Sequence, residues 1–103
     1  MHKSYLDYIN EYPEETKKEF LLIVKASFNT FFSEIEVAIK NKDTDTILKL
    51  IHKEFPTLIM LELKSAQQFF SQLKDTTITS SNCYEILTKV NQEKNQIINQ
   101  GWL

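Results

Sequence analysis

Apolar residues recur along this chain at helical spacing over two long stretches and one shorter one. At about 100° per residue, Phe20, Leu21, Val24, Phe28, Phe31, Phe32, Ile35, Ala38 and Ile39 fall on one broad stripe. A stripe that wide predicts a helix packed against more than one neighbour. Pro13 stands where a first helical turn tolerates it, with Glu14 and Glu15 at the positive end of the helix dipole, so the helix is expected to start there. The polar run Asn41-Lys42-Asp43 breaks the pattern.

Asp43 or Thr44 can cap the next helix, with Asp45 in its first turn. Its buried stripe is expected to be Ile47, Leu48, Ile51, Phe55, Leu58, Ile59, Ala66, Phe69 and Leu73, giving one helix that ends near Lys74. On a straight helix Glu62 would point into that stripe, at a cost of several kcal/mol, roughly, if unpaired. Pro56 offers a kink that shifts the phase. A Thr/Ser-rich loop follows from Asp75 to Ser81. The last helix is expected from Ser81 or Asn82, where Asn82 and Glu85 have capping-box spacing, and it buries Cys83, Ile86, Leu87, Val90 and Ile97 before Gly101 ends it. A short helix at Ser4–Asn10 precedes all of these. The expected architecture is all-α: an antiparallel four-helix bundle with a short N-terminal helix, in a single domain over residues 1–103.

Composition narrows what such a bundle does. With 42% apolar residues in 103, the chain can bury a core without metals or disulfides. The lone Cys83 excludes an internal disulfide and fits a reducing compartment, so a cytoplasmic location is expected, with no membrane partner. Twelve lysines and no arginine oppose fourteen acids, for a net charge of -2 and no basic block, which argues against nucleic acid. The only glycine is Gly101, so phosphate-cradling loops and dinucleotide folds fall away. Neither His2 nor His52 has a partner at metal-ligand spacing, so no metal and no cofactor are expected on this chain.

His52 is the remaining chemical candidate. An unperturbed imidazole, with a pKa of about 6.5, is largely neutral and nucleophilic at physiological pH. On its helix, His52 lies at the rim, with the apolar stripe centred about 70° to one side and Lys49, Lys53, Lys64 and Gln67 on the other. Leu48, Lys49, Phe55 and Pro56 are its neighbours one turn away. The expected site is a half-exposed imidazole with an apolar shelf and two ammonium groups in reach.

The segment His52, Lys53, Pro56, Thr57, Met60, Leu61 and Leu63 resembles the phosphoacceptor helix of histidine-containing phosphotransfer (HPt) domains. The run from Phe31 to the Asp43 turn is similar to the end of that family's preceding helix, and the likeness covers roughly Glu19 to Val90. The resemblance implies a bundle that relays phosphoryl groups between receiver domains of a two-component pathway. His52 would be the phosphoacceptor, Lys49 and Lys53 would support the phosphoryl group, and Leu48, Phe55 and Ile59 would form the docking shelf. Implied partners are response-regulator receiver domains and a hybrid histidine kinase. Mg²⁺ would sit on the receiver, and the chain would be a monomeric phosphocarrier rather than an enzyme.

Three positions depart from the family pattern. The lysine usual three residues after the histidine is Phe55, a commonly apolar position two after it is Glu54, and the glycine usual ten after it is Glu62. A helical protein-binding adaptor that keeps the bundle without the relay is a second reading of the same residues. A homo-oligomeric bundle using exposed Phe and Tyr is a third.

Overall fold

A computed structural model describes residues 10–103. The helix expected at Ser4–Asn10 therefore lies outside the described residues, apart from Asn10 itself. Helices α1 (Glu14–Lys40), α2 (Thr44–Met60), α3 (Lys64–Lys74) and α4 (Cys83–Asn99) make up the regular structure, with no strand among the described residues. The fold is an all-α helical bundle. Helix α1 packs on α2 and α4, and α2 packs on α3.

The α1 stripe buries as its spacing demands. Phe28, Phe31, Phe32, Ile35 and Ile39 are all in the core. The rings of Phe31 and Phe32 meet edge to face at 5.2 Å, and Phe31 meets Phe70 of α3 at the same distance. Edge-to-face pairs contribute about 0.5–1.5 kcal/mol beyond the area they bury. At the far end, Gly101 turns the chain at φ +90° and Trp102 packs edge-on against Phe20 of α1.

The single helix expected from Asp43 to Lys74 is two helices. Helix α2 ends at Met60, and Glu62 takes the left-handed conformation at φ +57°. The Glu62 N–H bonds to the Ile59 carbonyl and the Leu63 N–H to the Leu58 carbonyl, both at 3.0 Å. That paired reversal is a Schellman motif, which satisfies carbonyls a helix end leaves open. Glu62 is exposed rather than aimed into the stripe, so the burial cost expected for it does not arise. Beyond the break the phase changes: Phe70 is fully buried and Phe69 only partly.

Asp43 caps α2 as expected, its carboxylate accepting from the Thr46 N–H at 3.3 Å and the Thr46 hydroxyl at 2.6 Å. These bonds, hydroxyl first, hold its carboxyl below the usual range. The capping box expected at Asn82 is absent. Its side chain turns back into the preceding loop, accepting from the Thr79 N–H and donating to the Thr77 carbonyl, both at 2.8 Å. Glu85 pairs with Lys89 along α4 instead.

Candidate functional site

Helix α2 presents two unlike faces. Ile47, Ile51, Glu54 and Leu58 are buried, while Leu48, Lys49, His52, Lys53, Pro56 and Ile59 are exposed. The buried four centre about 130° from His52, so the imidazole points into solvent rather than resting half-exposed at the rim. Core packing of Ile51 and Leu58 fixes the helix beneath it. Pro56 continues α2 without a break, but it has no N–H to give the carbonyl four residues back, which is that of His52.

The residues expected to form a docking shelf divide. Leu48 is 36% and Ile59 56% exposed, whereas Phe55 is half-buried against the core. Phe55 also carries a cation: the Lys74 ammonium stands over its ring, 5.5 Å from the centroid. Lys74 comes from the last turn of α3 and was not among the residues the sequence singled out. The signal that finds it is the break at Glu62, which folds α3 back along α2.

Lys49 and Lys53 both act on acids. Lys49 lies close enough to Asp43, and Lys53 to Glu54, to favour the ionised carboxylates. Lys53 lines a cleft of about 330 Å³ between α1 and α2 together with Ser27, Thr30, Glu34 and Glu54.

Glu54 is only 4% exposed and is the one buried charged side chain among the described residues. Both of its oxygens lie within reach of the Ser27 hydroxyl of α1, at 2.8 and 3.0 Å. The single hydroxyl proton is shared between them, the 2.8 Å bond being the shorter. Burial pushes the Glu54 pKa up, against the opposing effects of the Ser27 bond and of Lys53. The apolar position expected two residues after His52 is thus filled by a carboxyl with a dedicated partner on the facing helix.

Among the described residues, no group of His, Cys, Asp and Glu side chains is arranged to hold a metal ion, and no helix is long and apolar enough to cross a membrane. No family model, curated protein or solved structure matches the chain.

Proposed function

We propose that this protein is a phosphorelay intermediate, accepting a phosphoryl group on His52 from a receiver-domain aspartate and passing it to another receiver. The observation that carries the reading is a solvent-facing imidazole on a core-anchored helix, flanked by Lys49 and Lys53 and by the exposed apolar side chains of Leu48 and Ile59. The left-handed turn at Glu62 adds support, because it falls where the resembled family has its glycine, ten residues after the histidine.

In the proposed step the Nε2 lone pair attacks phosphorus, an N–P bond forms, and the aspartyl carboxylate leaves with the P–O electron pair. Positioning and electrostatics carry such transfers. The chain offers a nucleophile and the receiver brings Mg²⁺, so the protein is a cytoplasmic, monomeric phosphocarrier rather than an enzyme. Its partners would be receiver domains and a hybrid histidine kinase.

Incubation with phosphorylated receivers should give an acid-labile, base-stable adduct on the wild-type chain and none on His52→Gln, with the helical circular dichroism of the two unchanged. A folded wild-type chain that takes no label from any receiver would refute the relay. Leu22 and Ile23, 67% and 69% exposed on α1, favour the adaptor as a second reading. In that case His52→Gln would leave both partner affinity and cellular output intact.

A further inference from the structure

We infer that Lys74 is the phosphoryl-binding cation of this site, delivered from α3 rather than from the helix that carries His52. The inference rests on the phosphorelay reading and deepens it by naming the group that meets the transferred phosphate.

Phe55 lies one turn after His52, a spacing at which helical side chains are neighbours, with Cβ atoms about 5–6 Å apart. The Lys74 ammonium is held over that same ring, 5.5 Å from its centroid. An aromatic face orients a cation without neutralising it. Neither the Lys17–Glu14 nor the Lys89–Glu85 ion pair involves Lys74, whose ammonium is open to an incoming anion.

The two lysines flanking His52 are differently engaged. Lys49 acts on Asp43, and Lys53 acts on Glu54 from the cleft toward α1. On α2, Phe55 and Leu48 lie about 60° and 40° to one side of His52, and Lys49 and Lys53 lie on the other. Lys74 brings a cation to the Phe55 side. A phosphoryl group carries about two negative charges and three acceptor oxygens, and a cation from each side would enclose it.

Phosphoramidate tests this without a receiver. The Nε2 lone pair bonds to phosphorus, the P–N bond of the donor breaks, and its already protonated nitrogen leaves as ammonia. Lys74 is exposed at a helix end, so Lys74→Gln should fold as the wild type does. It should slow phosphorylation of His52 about fivefold, as expected for losing a unit charge that acts through water. It should also move the ³¹P resonance of the adduct. Lys74→Arg should restore both, and Phe55→Leu, which removes the ring under the ammonium, should slow the reaction by less.

A wild-type rate and an unmoved ³¹P resonance in Lys74→Gln would overturn the role of Lys74 while leaving the relay standing. A folded wild-type chain that forms no His52 adduct, from phosphoramidate or from any receiver, would overturn both.

Discussion

Two helical hairpins share helix α2, and the same backbone reversal closes each. Between α1 and α2, Lys42 sits at φ +54°, with the Lys42 N–H bonded to the Ile39 carbonyl and the Asp43 N–H to the Ala38 carbonyl. Between α2 and α3, Glu62 repeats this at φ +57°, with equivalent bonds from Glu62 and Leu63. The residue that follows differs. Asp43 is exposed and caps the next helix through its carboxylate, whereas Leu63 is buried and makes no side-chain cap. One turn is held by a polar cap and the other by the core. The interiors differ in the same sense: the first hairpin encloses the Ser27–Glu54 pair, and the second is apolar apart from Gln67 of α3, which donates to the Leu58 carbonyl at 3.0 Å, with Lys74 over Phe55 at its edge.

If the second turn is held by the core, truncating its anchor should give the largest loss of stability. Leu63→Ala is expected to destabilise the fold by about 2–5 kcal/mol, the range for buried leucines, read as a lower urea midpoint. It should also separate Lys74 from Phe55, so phosphorylation of the still-folded variant should slow as it does in Lys74→Gln. A change of well under 1 kcal/mol, roughly, would show that the backbone geometry alone closes the turn.

Two carboxyls of the first hairpin, Glu54 and Asp43, should make stability depend on pH, with opposite sign. Glu54 has a folded pKa raised above its ordinary 4.5. Below that value both states are protonated and burial carries no ionisation cost, and as pH rises through the raised folded value stability is lost. Asp43 has a folded pKa lowered below its ordinary 3.8, so its contribution is complete above that value and is lost as pH falls through the lowered one. Glu54→Gln keeps an acceptor and a donor for Ser27 but cannot ionise. It should flatten the decline in stability from pH 4.5 upward and raise the midpoint at neutral pH, by less than the Leu63→Ala loss. A variant as pH-dependent as the wild type over that window would place the titration elsewhere.

The same contrast explains what was legible in the sequence. The turn at Asn41-Lys42-Asp43 is polar, interrupts a clear stripe and ends in a capping residue, so it could be read directly. The turn at Leu61-Glu62-Leu63 sits in an apolar run, and glutamate is a good helix former whose side chain does not advertise a left-handed backbone. One signal was present. Leu58, Ile59, Met60, Leu61 and Leu63 are too many apolar neighbours for one face of an amphipathic helix. Missing that break cost most at the site. On one straight helix Lys74 would stand roughly 28 Å from Phe55, and only the hairpin brings them together. His52, by contrast, needed only the phase of its own helix.

Both turns place a residue with a Cβ where glycine is favoured, so each stores a backbone cost of about 1 kcal/mol that a glycine would relieve. Lys42→Gly and Glu62→Gly should therefore both stabilise the protein, by less than that cost, because glycine also gives the unfolded chain more freedom. The net gain expected is a few tenths of a kcal/mol, roughly, in each. The comparison predicts near equality, since the φ values and the bonds are matched and neither side chain is buried. Paired urea titrations of the two variants decide it. A clear gain at Glu62 with a loss at Lys42 would mean that the Lys42 side chain contributes something beyond its backbone, and the two turns would then differ in kind rather than only in what anchors them.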